Sequence, residues 1–270
     1  PYILASTLKE EFPQVEKAIN AQNLRSLRLK SGDEFINVFG AVATGSEIFD
    51  MFTIPLVRSA DRKKLLDDRS SIVLSEEMAL LFFPEEDPLG KAIVGIANNT
   101  EQIFTVTGVF EDIPVNSTFR AKCFVNSEWT LGPINDAFKI DNAETSWEHD
   151  FWTTWVFLSG KARLEEIDNQ FRNLETKYPS KGIKRTYSLQ NLSDVYLKSE
   201  NLQNAGLRGN MKNIRLFSAI AFLILLVASI NYIILSTAVS TGRSKEIGIR
   251  KTNGAGNNNI KNQLLSESVI

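Results

Sequence analysis

The chain has 270 residues, 43% of them hydrophobic and 23% charged, an ordinary globular composition with room for one large domain or two small ones. The net charge of -2 is unevenly spread. Arg243, Lys245, Arg250, Lys251 and Lys261 against Glu246 and Glu267 give residues 240–270 a charge of +3, residues 216–239 carry none, and -5 is left on residues 1–215. An acidic body argues against nucleic acid as a partner, because binding it needs clustered Lys and Arg. The single cysteine, Cys123, excludes an intrachain disulfide and a cysteine-based zinc site.

In chain order, Leu8, Phe12, Val15 and Ile19 recur at helical spacing, with Pro13 near the start of the better-formed part. Strand-like runs follow at Leu24–Lys30 and Glu34–Val42, joined by the turn Ser31-Gly32-Asp33. Ser71–Leu74 reads as a strand. Ser75 then suits the N-cap of a helix reaching Phe83, with Glu76 and Glu77 in the first turn, where the helix dipole favours acid. Asp87-Pro88-Leu89-Gly90 fits a type I turn, with Asp first, Pro second and Gly fourth. Strands are expected at Ala92–Ile96, Ile103–Phe110 and Phe119–Val125, and loops with a short helix over 126–150. Trp152–Leu158 as a strand, Arg163–Tyr178 as an amphipathic helix and Lys184–Leu189 as a second strand complete an α+β body.

The polar stretch Leu197–Asn213 leads to Leu216–Val239, which has no charged side chain. About 24 helical residues reach roughly 36 Å, enough to cross a hydrocarbon core of about 30 Å. Hydroxyls within it can bond back to the helix, but Asn231 needs a partner from another helix or a wet cavity. Arg208, Lys212 and Arg215 before the span nearly balance Arg243, Lys245, Arg250 and Lys251 after it, so charge alone leaves sidedness open. The chain opens at Pro1 without an initiator methionine and reads as a processed form or a fragment.

No catalytic constellation emerges. Gly90-Lys91 has no glycine at the spacing of a phosphate-binding loop before it, and Ala92 stands where Ser or Thr should follow. His149, the only histidine, lacks a second histidine for a metal site and reads as a solvated loop residue. Trp147, Phe151, Trp152, Trp155 and Phe157 read as core aromatics rather than a ligand face. Past the span, Glu246 and Arg250 stand at i, i+4 in the favourable order. The helix meets little to stop it before Asn253-Gly254, and an amphipathic pattern resumes through Ile260, Leu264, Leu265 and Val269.

Ile230-Asn231-Tyr232, Ser236-Thr237-Ala238, the run Arg243 to Lys251, Gly254-Ala255 and the run Gln263 to Ser268 resemble the second transmembrane helix and cytoplasmic elbow of MacB/FtsX-type ABC transporter permeases. Phe12-Pro13-Gln14-Val15-Glu16, Val73 to Glu76, Asp87 to Lys91 and Val106 to Ser117 fall in the order of the MacB-like periplasmic core domain. The resemblance implies an α+β extracytoplasmic domain over residues 1–205, a porter-like part with an inserted second part near 115–150. A connector (206–215), one transmembrane α-helix (216–239) and a short cytoplasmic helical elbow (240–270) follow. One helix before Pro1 and two after Ile270 are then expected in the whole protein.

The implied function is the permease subunit of an ABC-type exporter or mechanotransmission complex in a bacterial inner membrane. No cofactor belongs to this chain, since ATP and Mg sit on a cytoplasmic ABC ATPase. Other implied partners are a second permease copy or paired permease, membrane lipid, and a periplasmic or outer-membrane protein. Arg243, Glu246, Arg250, Lys251 and Gly254 would couple to the ATPase, and Asn231 would make an intramembrane polar contact. One departure is that Gly256-Asn257-Asn258-Asn259 replaces the basic residues that often follow the Gly-Ala. The competing reading is a membrane-anchored extracytoplasmic sensor or ligand-binding module, which would continue into a signalling segment rather than two further spans.

Overall fold

The computed structural model describes all residues except 26, 60, 98–99, 118, 161, 181–183, 200–208, 243 and 268–270, and it divides into two compact units, 1–209 and 210–270. The elements of the first unit are α1 (Leu4–Glu11), β1 (Val15–Leu24), β2 (Leu27–Ser31), β3 (Glu34–Val38), β4 (Ala41–Thr44), α2 (Ile48–Met51) and β5 (Leu56–Ser59). After them come β6 (Ser71–Ser75), α3 (Glu76–Phe82), β7 (Ala92–Ala97), β8 (Thr100–Phe110), β9 (Cys123–Asn126) and α4 (Leu131–Phe138). β10 (Thr153–Leu158), α5 (Leu164–Arg172), α6 (Leu174–Lys177) and α7 (Leu192–Lys198) close the unit.

The strands form one 10-stranded sheet in the order β10-β1-β4-β9-β6-β8-β7-β2-β3, with β5 attached to β8. The pairs β4/β9 and β6/β8 are parallel and the others antiparallel. β6 lies near the middle and is buried along its whole length. Its Ile72 and Leu74 enter one core with Leu29, Phe104 and Val106, while Val73 enters another with Phe49, Phe110 and Phe124. A strand covered on both faces needs a continuous apolar run, which is why SIVL is legible without alternation.

β1 serves two regions. Val15–Ala21 pairs with β10, and Gln22–Leu24 pairs with β4. A third core, of Leu8 on α1, Phe12 just past its end, Ala18 on β1, and Ile167 and Phe171 on α5, draws only on the beginning and the end of the unit. Everything between β1 and β10 is one excursion from it. The stretch 115–150 supplies β9 to the middle of the sheet, within the same compact unit.

Several expected elements are corrected. The helix expected across Leu8–Ile19 stops at Glu11. Phe12, the residue before a proline, is extended at φ -117° and ψ 99°, and Val15 and Ile19 belong to β1. A spacing of four fits a strand as well as a helix. Glu34–Val42 is two strands, split at Phe39-Gly40, where Gly40 has φ +91°. The turn at Asp87–Gly90 is shifted by one residue. The Lys91 N–H donates to the Pro88 carbonyl at 3.1 Å, and Gly90 takes φ +74° in third place, the type II arrangement. Arg163–Tyr178 breaks into α5 and α6 at Asn173, and Lys184–Leu189 alternates between exposed and half-buried residues but is not a sheet strand. Ser75 does cap α3, accepting the Met78 N–H at 3.4 Å.

The second unit holds α8 (Met211–Gly242), α9 (Ser244–Thr252) and α10 (Asn257–Glu267). Asn210 opens α8, its Oδ1 accepting the N–H of Lys212 and of Asn213. Within Met211–Val239, an 18-residue stretch has a mean hydropathy of 2.4 with none of it buried, and the helix contains the whole expected span.

Candidate functional site

The functional candidates of the second unit gather where α9 turns into α10. Arg250 Nη2 donates to Glu246 Oε1 at 2.5 Å, one turn back on the same helix. Its Nη1 donates to Gln263 Oε1 at 2.8 Å on the next helix. Between them the chain closes α9 with paired backbone bonds: Ala255 N–H to the Arg250 carbonyl at 3.0 Å, and Gly254 N–H to the Lys251 carbonyl at 3.1 Å. That is a Schellman cap, which needs a left-handed residue at its fifth position, and Gly254 supplies it at φ +88°. Arg250 and Lys251 occupy the last turn of α9, where cations meet the negative end of the helix dipole. Lys251 is exposed and makes no ion pair among the described residues. Arg243 lies outside the described residues.

The structure therefore brings Glu246, Arg250 and Gly254 into one helix–cap–helix bracket and adds Gln263, which the sequence placed in the family-like run 263–268 without a role. Only the proximity of two helices across a tight cap could have indicated it, because thirteen positions separate it from Arg250. The side chains of Leu264 and Leu265, and Val269 as a whole, lie outside the described residues.

On α8, Ser229 donates to the Leu225 carbonyl and Thr237 to the Ile233 carbonyl, both at 2.7 Å, which removes the cost of these hydroxyls in hydrocarbon. Asn231 has no such bond among the described residues. It shares an open face of the helix with Leu223, Ile224, Val227 and Ala228.

In the first unit, the His149 ring lies parallel to that of Phe151 at 5.8 Å, and no group of three or more His, Cys, Asp or Glu among the described residues is placed to hold a metal. Trp152 is buried, with its ring edge-on to Tyr2, and Trp147 lies flat on Tyr178 at 4.4 Å. Phe157 departs from the core reading, being 48% exposed. Cys123 is fully buried, and desolvation pushes its thiol up to about 12, so it is no nucleophile.

A sheet-based α+β domain, followed along the chain by one helix long and apolar enough to cross a membrane and by a capped helical bracket, has the layout of a membrane protein with a large domain outside the bilayer. The chain belongs to the MacB-like periplasmic core domain family, whose profile matches residues 1–174, and the FtsX-like permease C-terminal profile matches residues 218–270. It is 24% identical over 252 residues to the macrolide export ATP-binding/permease protein MacB of Neisseria gonorrhoeae, and equally so to that of Neisseria meningitidis. Each match covers 91% of this chain and 34% of the relative, so the chain spans about a third of the length of these curated relatives.

Among solved structures, a domain of a candidate permease protein from Porphyromonas gingivalis is similar at a TM-score of 0.56 and 21% identity, covering 69% of this chain and 81% of that one. The periplasmic region of MacB from Actinobacillus actinomycetemcomitans gives 0.47 at 18% identity, covering 66% and 73%. The first of these shows a shared fold.

Proposed function

We propose that the chain is part of the permease of an ABC-type exporter or mechanotransmission complex. In this reading residues 1–205 lie on the periplasmic side of the inner membrane, α8 crosses it, and α9 and α10 face the cytoplasm. ATP and Mg are bound and hydrolysed by an ABC ATPase, a separate chain or another domain. The permease works as a pair of copies or with a second permease, and its outer domain meets a periplasmic or outer-membrane partner. The observation that carries the reading is the match of the FtsX-like permease region to residues 218–270, the stretch that holds the apolar helix and the capped bracket. The absence of a phosphate-binding loop around Gly90-Lys91 agrees with hydrolysis elsewhere.

The mechanism follows from the bracket's stiffness. A helix end closed by a Schellman cap and pinned by Arg250 to both Glu246 and Gln263 moves as one piece, so a push on α10 passes into α9 rather than being lost at the turn. As an exposed pair, Glu246 and Arg250 stabilise the helix by only about 0.3–0.5 kcal/mol. In a mere anchor, Arg250→Glu would be nearly silent. In a permease, Arg250→Glu and Gly254→Val uncouple hydrolysis from transport while the outer domain keeps its melting temperature. The test is ATPase and transport activity of the reconstituted full-length complex, alongside that melt. Wild-type activity in both variants would reduce the bracket to an anchor.

A further inference from the structure

The sheet of the first unit is covered unevenly. On the face that holds Val73 and Phe110, Ile48 and Phe49 of α2 with Ile54, Leu65 and Leu66 pack over β1, β4, β9 and β6. On the opposite face, the core around Leu29, Ile93 and Phe104 reaches out to β2 and β3 under α3 and Trp129. β7, β2, β3 and the first half of β8 are therefore covered on one side and bare on the other among the described residues.

Strand register fixes what the bare side presents. Phe104 and Val106 enter the core, so Ile103 between them points away from it. Ile103 pairs with Val94, and Lys30 with Phe35, which sets these four in one row across the strands. In the neighbouring row Arg28 pairs with Ile96, and Ile96 with Glu101. Ile103 is 60% exposed, and Val94 and Ile96 are half-buried. An apolar centre on β7 and β8 is thus bordered along β2 by two cations. Neither Arg28 nor Lys30 forms an ion pair among the described residues, and Arg28 lies over the Phe35 ring at 5.9 Å.

Charge and spacing say what would cover it. Residues 1–215 carry -5, yet this face sets two cations against one carboxylate, Glu101, so it complements an acidic surface. A second copy would bring the same two cations with it. Arg28 and Lys30, two residues apart on one strand, are separated by about 7 Å. Acidic residues at i and i+4 on a helix lie about 6 Å apart along its axis. A helix laid along β7 therefore places such a pair against the cations and its apolar stripe on Val94, Ile96 and Ile103.

We propose that the bare face of β8, β7, β2 and β3 is a docking surface for an amphipathic helix of a partner protein, one whose apolar stripe is bordered by Asp or Glu four residues apart. This partner is the outer-domain partner of the permease reading, and because docking is measured without ATPase or transport activity, one can fail while the other stands.

Fluorescence anisotropy tests the docking on the 270-residue chain in phosphatidylcholine nanodiscs, with empty nanodiscs as the blank. The probes are two helical peptides of about 18 residues with the same leucine stripe, one bordered by Glu at i and i+4 and the other by Lys at those positions. The acidic peptide binds at least about tenfold more tightly than the basic one. Ile103→Asp, and separately Arg28→Glu with Lys30→Glu, weaken it at least about tenfold. All three positions are exposed, so the near-UV circular dichroism spectrum is unchanged. The charge-reversed chain also gains the basic peptide, which a misfolded variant cannot do. No binding, equal binding of the two peptides, or acidic-peptide binding that survives charge reversal overturns the proposal. So does self-association of the chain in detergent that Ile103→Asp abolishes, because a second copy then occupies the face.

Discussion

Arg185 shows how one side chain can tie two segments together without strand pairing. It is 9% exposed, and its guanidinium donates to Asp150 Oδ2 at 2.8 Å, to the Trp147 carbonyl at 2.7 Å and to the Glu148 carbonyl at 2.5 Å. It therefore ties residues 147–150 to residues 184–190. Arg185→Ala leaves two carbonyls and a carboxylate short of donors, and about 2–3 kcal/mol of stability is lost, discounted from a fully buried pair because Asp150 is half exposed. Arg185→Lys recovers little, since an ammonium cannot reproduce the planar fork. Urea unfolding followed by Trp fluorescence measures both, and a loss below about 0.5 kcal/mol in the alanine variant contradicts the account. Two left-handed glycines make a second contrast. A Cβ at Gly40 would sit 2.5 Å from the Arg120 carbonyl oxygen, whereas one at Gly254 meets nothing within 4 Å. Gly40→Ala should therefore cost about 2–3 kcal/mol and Gly254→Ala about 1 kcal/mol, the backbone penalty alone. The four Trp residues all lie in the first unit, so the fluorescence experiment reads Gly40→Ala alone, and a loss there no larger than the backbone penalty of about 1 kcal/mol would remove the contact as the cause.

Among the elements, α5 and residues 184–190 are joined through a carboxylate that responds to acid. The Leu189 N–H, with Arg172 adding and burial opposing, holds the Asp168 carboxyl below the usual aspartate value of 3.8. A depressed folded-state value means that the stabilisation is complete above the ordinary aspartate range and is lost as pH falls through the lower folded value. The segment should therefore stay docked at neutral pH and loosen only below about pH 3.8, with Asp168→Asn abolishing that transition while its side-chain oxygen still accepts the amide. The Leu189 amide shift in an NMR titration reports it, and a midpoint near neutrality would assign the docking to another group.

The same segment marks a limit of what the residues alone reveal. Arg185, Thr186, Tyr187, Ser188 and Leu189 alternate as a strand does, and the alternation is real in the structure, but among the described residues the segment pairs with no strand. β6, α3 with its Ser75 cap, the β2–β3 hairpin and the apolar span are legible because each signal is local. The β1 region is not, because a spacing of four suits either secondary structure and only the pairing with β10 decides. Of the bracket, Glu246, Arg250 and Gly254 announce themselves by helical spacing and by the cap, whereas Gln263 is recruited by a turn that has to form first.

For the molecule as a whole, the pairing of Val15 with Leu158 at the head of β1 has a consequence in time. A ribosome adding about 5–20 residues per second makes the second partner some 7–30 s after the first. Throughout that interval β1 has β4 to pair with over Gln22–Leu24 but nothing for Val15–Ala21. Contacts so distant in sequence also form late in refolding, since closing the intervening loop costs entropy before it is rewarded. In pulse-labelled hydrogen exchange during refolding, the amides of β6 and β9 should gain protection in an earlier phase than those of Val15–Ala21 and Thr153–Leu158. A single shared phase would mean that the two regions fold as one. On the ribosome, β1 is then made long before its pairing can be completed, and a chaperone that shelters this nascent chain would have the apolar residues of β1 to hold.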